Sequence, residues 1–569
     1  MSRLILICLV AFAVLWHPLQ SISQNGNTTV PDKLKIHQET PGDQYMPNTW
    51  NNQKTSPAGR YKSAGTFTSQ VNVDSNGNNI IGDAANEPSI AVNPLDPKQM
   101  VIGWRQFETV NSNFRQAGIG YTTDEGLTWT FPGPIDPMTF RSDPVLDADS
   151  SGTIYYNSLT SNAGDYTCRV FRSNTGGASW DAGVEAKGGD KQWMAIDRSG
   201  GVGSGNIYSS WTANYSSCMP GFFTRSTDGG NSYENCVVVD GNPYWGTLTV
   251  GNQGELYIAG AGSGDGILIT RSSNAKIPGA SVTWDFTSQA YMDGYITSAP
   301  EVNPVGLLGQ AYIDVDRSDG PGRGTIYVLA SMVRLSNGDP GDVMFAKSMD
   351  GGYTWSEPLR INNDPTAIHH QWFGTMSVAP NGRIDVVWLD TRNDPDLNIM
   401  SALYYCYSTD QGETWSINKQ ISEMFNPLVG WPQQNKMGDY FDMESDNAGA
   451  HLAWANTLNG EQDIYYTRIL PSIVSVAEKA GSRESLILET TPNPFRDKTH
   501  IKYTVPADGQ VNLTVFNLYG QKVCTLVDEQ KNAGMYTLEF DASGLPSGWF
   551  TGKLTVGGLS VNTRMLKVR

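Results

Sequence analysis

Charge is scarce in this chain: Asp, Glu, Lys and Arg together make up 17% of its 569 residues. Basic residues are the scarcer kind, 39 Lys and Arg against 57 Asp and Glu, for a net charge of −18. Nucleic-acid affinity rests largely on Lys and Arg releasing counterions, so a nucleic-acid partner is excluded. The same balance repels a globally anionic polymer, although a local basic pocket can still capture one carboxylate. Cysteine is also sparse, at six. Cys8 lies in an N-terminal apolar segment, leaving Cys168, Cys218, Cys236, Cys406 and Cys524, an odd set in which at least one thiol stays free. No CxxC or Cys/His spacing is present, which excludes a zinc site. Cys218 and Cys236 flank the outer strands of one structural unit and are the expected disulfide pair in an oxidising compartment. Beyond the first segment no apolar run is long enough to cross a bilayer, so no transmembrane segment is expected.

That first segment, Met1 to Ser23, has Arg3, an apolar run from Leu4 to Trp16, and Ser21-Ile22-Ser23 as a small-x-small cleavage site. It reads as a secretory signal peptide, which puts the mature, soluble protein outside the cytoplasm. Residues 24–64, rich in Asn, Gln, Pro, Thr and Lys and without periodicity, read as a flexible leader. What the rest of the chain has in quantity is Gly (60), Tyr (25) and Trp (16), the composition of an all-β protein rich in turns and aromatic plugs.

Ser348-Met-Asp-Gly-Gly-Tyr-Thr-Trp355 recurs along the chain in variants. An Asp two residues after a Ser folds its carboxylate back on following N–H groups, Gly supplies positive φ, and the aromatic buries a large apolar body between units. The variants are Thr122 to Trp129, Ser173 to Trp180, Ser226 to Tyr233 and Ser408 to Trp415, with a degenerate copy ending at Trp284. The closing aromatics recur every 51–71 residues, one four-stranded unit per repeat, which predicts a β-propeller over residues 65–470. On these octets the sequence resembles the Asp-box (BNR-repeat) proteins, whose best-known enzymes are the sialidases. Paired inner and second strands, from Ser89–Asn93 with Met100–Trp104 through to Tyr440–Asp442 with Ala450–Trp454, give seven units. The last lacks an octet. An unpaired edge invites closure by the other terminus, so Gly65–Val73 is expected to complete it, with Ile473–Val476 as the competing candidate.

Residues 471–490 read as a linker, and residues 491–569 as a small Ig-like β-sandwich with strands at Thr499–Val505, Val511–Leu518, Gly534–Asp541 and Gly552–Leu559. The opening Thr491-Pro-Asn-Pro-Phe495, the run Val515 to Lys522, Leu545 to Phe550 and the basic tail Arg564 to Arg569 resemble the C-terminal sorting domain of the type IX secretion system of Bacteroidetes-type bacteria. The resemblance implies engagement with that machinery, export across the outer membrane, and release or surface attachment.

In a four-stranded antiparallel unit the octets and the turns after the inner strands share one face. Asp124, Asp228, Asp350 and Asp410 on that face are read as structural. Turns such as Asp197-Arg-Ser-Gly-Gly and Asp316-Arg-Ser-Asp-Gly lie there too; their oxygens leave room for a structural calcium, and no other cofactor is expected. The opposite face collects Glu87, Arg105, Arg141, Asp143, Lys191, Trp245, His369, His370, Trp372, Asp390, Arg392, Asp439 and Tyr440, expected to form a polar, aromatic-rich funnel mouth facing extracellular glycan. Sialidase-type chemistry, which the resemblance implies, needs arginines on a sugar carboxylate, a Tyr made nucleophilic by a nearby acid, and a proton donor. Arg105, Arg141 and Arg392 could supply the first, Tyr440 with Glu87 or Asp439 the second, and Asp143 or Asp390 the third. Lys191, His370, Trp372 and Trp245 complete the expected binding set. No Arg-Ile-Pro tripeptide precedes the first unit. Two other readings use the same face: a lyase working through His369 or His370 and Tyr440 with Arg392 or Lys191 on a uronate, and a glycan- or protein-binding surface without catalysis.

Overall fold

The computed structural model describes residues 43–45, 54–162, 165–262, 264–394, 398–471, 488–505, 508–517, 521–556 and 559–568. The expected signal peptide, and the strand candidate Ile473–Val476, lie outside them. The described chain is all-β and its sheets are antiparallel throughout; among the described residues no helix is long and apolar enough to cross a membrane.

Between residues 60 and 469 the strands fall into consecutive meanders, numbered here as sheets I to VII. Their first strands are Ala84–Val92, Ser142–Ala148, Trp193–Ile196, Leu248–Val250, Tyr312–Val315, Gln371–Val378 and Asp442–Ser445. Each first strand packs beside the next, and that of sheet VII packs beside that of sheet I. A first strand has a free edge whose N–H groups need acceptors, and the neighbouring sheet supplies them from side chains. Ser89 Oγ accepts from Leu146 N at 2.9 Å and Asp147 from Ile196 N at 2.7 Å. Thr247 Oγ1 takes Ile313 N (3.0 Å), Asp314 takes Val378 N (2.9 Å) and Ser377 Oγ takes Ser445 N (3.0 Å). Asp442 and Glu444 return the pattern to sheet I through Ile90 N (3.1 Å) and Val92 N (3.0 Å).

Sheet VII is completed from the other end of the chain. Thr66–Gln70 pairs along Asp463–Ile469, Val71 N donates to Ile464 O at 2.8 Å, and the hydroxyls of Thr68 and Thr467 meet at 2.8 Å. The closing strand therefore lies where the unpaired-edge argument puts it. The leader, in contrast, is shorter than its composition implied: Arg60–Ser63 pairs with Thr66–Gln70, and Thr55–Pro57 pairs with Asn78–Ile80. Polar composition hid these strands, whose pairing covers an edge and sets Tyr61 against Tyr465, ring centroids 6.1 Å apart.

The recurring octets are locked turns. Asp350 accepts from Thr354 N (2.9 Å) and Thr354 Oγ1 (2.6 Å), while Ser348 Oγ donates to Asp350 (2.8 Å) and accepts from Gly352 N (2.9 Å). The same bonds to the carboxylate are made at Asp124, Asp228 and Asp410. In three repeats the closing aromatic also fastens its sheet to the preceding one: Trp129 packs on Tyr466 (5.5 Å), Trp284 on Phe223 (5.3 Å) and Trp415 on Phe345 (5.2 Å). Gly126, at φ +80°, is required by this contact, since a Cβ there would sit 2.3 Å from the Tyr466 ring. Trp104, Trp388 and Trp454 are fully buried within the sheets. Cys218 and Cys236 form the expected disulfide, and Cys168, Cys406 and Cys524 are free.

The C-terminal residues form a two-sheet sandwich, one sheet from Leu488–Thr491, Lys498–Val505 and Gly534–Asp541, the other from Lys522–Lys531, Gly509–Asn517, Gly548–Val556 and Leu559–Lys567. Its first strand begins inside the stretch read as linker, because Leu488 is buried in the sandwich core. Lys522–Lys531 and Leu559–Lys567 escaped the sequence reading because their charged residues interrupt the apolar alternation.

Candidate functional site

Seven residues in the left-handed region stand at the starts of the seven first strands: Glu87 (φ 51°), Asp143 (48°), Lys191 (58°), Trp245 (55°), Gly309 (154°), Phe373 (54°) and Gly438 (102°). Left-handed backbone is costly for residues with a Cβ, so five of these positions store strain that the surrounding packing must hold. At Glu87, Asp143 and Phe373 the strand also bulges, as its register with the second strand shifts. The effect is to turn the Glu87, Asp143 and Lys191 side chains toward one another and toward Asp439.

These charges form one connected layer. Arg105 Nε lies 3.2 Å from Glu87 Oε2, and Lys436 Nζ reaches both Glu87 Oε1 (3.1 Å) and Asp439 Oδ2 (2.7 Å). Lys191 Nζ lies 2.7 Å from Asp439 Oδ2, 3.4 Å from Asp190 Oδ1 and 4.0 Å from Asp143 Oδ2. Asp439 Oδ1 accepts from Leu307 N at 2.9 Å. No side chain of this layer is more than 2% exposed. The four carboxylates exceed the three cations by one charge, and burial pushes Glu87 up to about 8 against the pull of Arg105 and Lys436. A proton on Glu87 brings the layer to neutrality.

Beneath the layer, Tyr440 donates its hydroxyl to Pro144 O at 2.8 Å, and its ring stands 5.2 Å from that of Trp193. Burial first, then Glu87 and Asp143, holds its phenol well above the usual tyrosine range. Tyr312, whose hydroxyl donates to Phe441 O, packs against Trp193 at 6.0 Å.

The structure thus gathers Glu87, Arg105, Asp143, Lys191, Asp439 and Tyr440, but seals them. The expected funnel mouth is corrected on this point, because the layer is buried and Lys436 and the Leu307 N–H bond Glu87 and Asp439 from within the protein. Arg141 and Arg392 do not join Arg105. Arg141 pairs with Asp136 at 2.6 Å and lies over Phe171, while Arg392 pairs with Asp390 at 2.7 Å and lies over Tyr404 at 4.5 Å. Asp390 also accepts from Trp388 Nε1 at 2.8 Å. Trp372 is core, its Nε1 donating to Ser401 Oγ at 3.1 Å. His370 is buried beside Asn398, and burial together with His369 depresses it to about 4. Trp245 is half-buried against Tyr244, centroids 5.0 Å apart.

The open space lies at the other end of the first strands. A cavity of about 320 Å³ runs between them and is lined by every one of the seven sheets. Trp193, Tyr312 and Met376 lie at its inner end, and Thr247, Thr249, Ser377 and Ser445 contribute hydroxyls to its wall. Asp147, Asp314, Asp442 and Glu444 are acids of the lining, with Arg198 and Arg317 at the rim. Arg198 comes from the turn after the first strand of sheet III and pairs with Asp147 of sheet II and with Glu444 of sheet VII, the latter at 3.3 Å. Arg317 pairs with Asp314 at 2.8 Å and donates to Val250 O at 2.7 Å. Burial raises Asp442 to about 7, opposed by its bond from Ser89. The sequence signal for this rim is the repeated Asp-Arg-Ser at 197–199 and 316–318, which the sequence alone presents as turns with room for a structural calcium.

Residues 491–567 match the secretion system C-terminal sorting domain. This domain indicates export through the type IX secretion system, to the cell surface or the extracellular space, and engagement with that machinery. No curated protein matches the chain in sequence. Among solved structures the chain is similar to a protein of unknown function from Dyadobacter fermentans, at 13% identity and TM-score 0.41 over 71% of this chain and 99% of that one. It is also similar to Trypanosoma rangeli sialidase (10%, TM-score 0.38, 89% of each chain) and to a PL25 ulvan lyase (11%, TM-score 0.38, 68% of this chain and 94% of that one). At these identities and TM-scores the likenesses transfer no activity.

Proposed function

We propose that this chain is an exported, seven-bladed Asp-box β-propeller of sialidase-like type that binds extracellular glycan without cleaving it. The observation that carries the reading is the sealing of the polar layer at the starts of the first strands, together with an axial cavity that opens at the opposite end. A sialidase-type step would need Tyr440 free and easily deprotonated, whereas its hydroxyl is bonded to Pro144 and its phenol is held high. It would also need arginines converging on one carboxylate, whereas Arg105, Arg141 and Arg392 each have a separate acidic partner. The sorting domain supports the extracellular setting.

The test is a pair of measurements on the exported protein. Turnover of a fluorogenic sialoside, and unsaturated-uronate absorbance on polyanionic glycans, report hydrolase and lyase activity; retention on a glycan array reports binding. Retention without turnover is the expected result. Sialoside hydrolysis lost on Tyr440→Phe would restore the hydrolase reading.

A further inference from the structure

The acids around the axial cavity outnumber the bases even with Asp442, which burial raises to about 7, left out: Asp147, Asp314 and Glu444 face two guanidinium groups, those of Arg198 and Arg317. A guest carboxylate would therefore enter against an excess of like charge, in a space where low dielectric strengthens the repulsion. The inner end offers the Trp193 and Tyr312 rings, whose faces attract a cation and whose bodies accept apolar C–H surface. Ser445 adds a second, independent sign: it lines the cavity, is 8% exposed, and its buried hydroxyl has no partner among the described residues. A buried hydroxyl without a partner costs free energy until something bonds to it.

Arg198 already occupies part of this arrangement. From sheet III it reaches sheets II and VII, so its guanidinium lies across the mouth and holds Asp147 and Glu444 as an internal cation would. It is about one-third exposed, and so is Glu444, which leaves both able to exchange partners at the rim.

We propose that the axial cavity is a binding site for an organic ammonium group, carried by an amino sugar with a free amine, and that Arg198 competes with this guest for Asp147 and Glu444. The inference rests on the glycan-binding reading and specifies its ligand. Neutral N-acetylated sugars are weaker guests, and uronates are excluded.

The test is isothermal titration of the full chain at low ionic strength and neutral pH with glucosamine, N-acetylglucosamine and glucuronic acid. Nα-acetyl-lysine methylamide serves as an ammonium probe without a sugar ring. Glucosamine is expected to bind at least about tenfold more tightly than N-acetylglucosamine, with no heat from glucuronic acid. Glu444→Gln keeps an acceptor for Val92 N and is expected to weaken glucosamine about tenfold, whereas Arg198→Ala is expected to strengthen it by a similar factor. Circular dichroism and thermal melts establish that both variants are folded. Equal affinity for glucosamine and its N-acetyl form, or an Arg198→Ala variant that loses binding, overturns the proposal while leaving array retention, and hence the binding reading, intact. Lysine-probe binding equal to that of glucosamine supports recognition of the ammonium but overturns the sugar assignment. Sialoside turnover removes the non-catalytic reading whatever these ratios are.

Discussion

The hydroxyl of Tyr440 donates to the carbonyl of Pro144 across 2.8 Å, joining the entrance of sheet VII to that of sheet II although the residues are 296 positions apart. With Trp193 edge-on to the same ring, the phenol is a fastening between strands converging on one axis. Tyr440→Phe should accordingly cost about 1–2 kcal/mol of stability by leaving a buried carbonyl without its donor, and leave glycan retention unchanged. Chemical denaturation beside an array measurement checks both halves.

Glu87 makes stability depend on pH in a direction opposite to that of an ordinary salt-bridged carboxylate. Its folded pKa of about 8 lies above the ordinary glutamate value of 4.5, so its contribution is fully present below pH 4.5 and is lost as pH rises through 8. The unfolding free energy should fall across that window by up to about 1.4 kcal/mol per pH unit from this one group, and the thermal midpoint with it. Glu87→Gln should flatten the fall; an unchanged slope in that variant would show that Glu87 is ionised throughout.

Trp129→Ala removes a side chain that fills the junction of sheets I and VII and donates to Ser69 Oγ at 3.1 Å. The expected loss is about 3–5 kcal/mol, measured by urea titration. A loss below about 1 kcal/mol would mean that the octet aromatics are not the fasteners between sheets.

A chain begun at Val71 lacks Thr66–Gln70 and exposes the edge of Asp463–Ile469. Such a chain should aggregate or melt without cooperativity, and a synthetic peptide of residues 58–70 added in trans should restore a sharp transition. Unassisted cooperative melting would refute the closure role.

Much of this architecture is visible in one dimension because it rests on local patterns. First strands such as Trp193–Ile196 show in their apolar runs, octets such as Ser348 to Trp355 in their Ser-x-Asp-Gly order, and the closing strand in the missing octet of sheet VII. Strand order then fixes which residues share an end, which is why Glu87, Asp143, Lys191, Asp439 and Tyr440 were placed together. Whether that end was open was not legible. It depends on Lys436, which sits in an undistinguished Gln-Gln-Asn-Lys-Met run, and on a backbone N–H at Leu307, which carries no side-chain signal. Charge cancellation among partners from separate sheets has no signature in the order of residues. The cavity rim was hidden for a related reason: Asp147, Asp314 and Asp442 each cap backbone N–H groups as well as line open space, and only the second role bears on a ligand.

Holding residues 66–70 and 463–469 in a single sheet also governs what proteolysis does to this molecule. A cut at the turn around Val202, which is 73% exposed, yields two fragments that both contribute strands to that sheet. The nicked product should migrate as one particle on a native gel and separate into two bands only in detergent. Survival of a surface protein amid extracellular proteases would then depend on how many nicks the shared sheet can outlast, more than on avoiding the first.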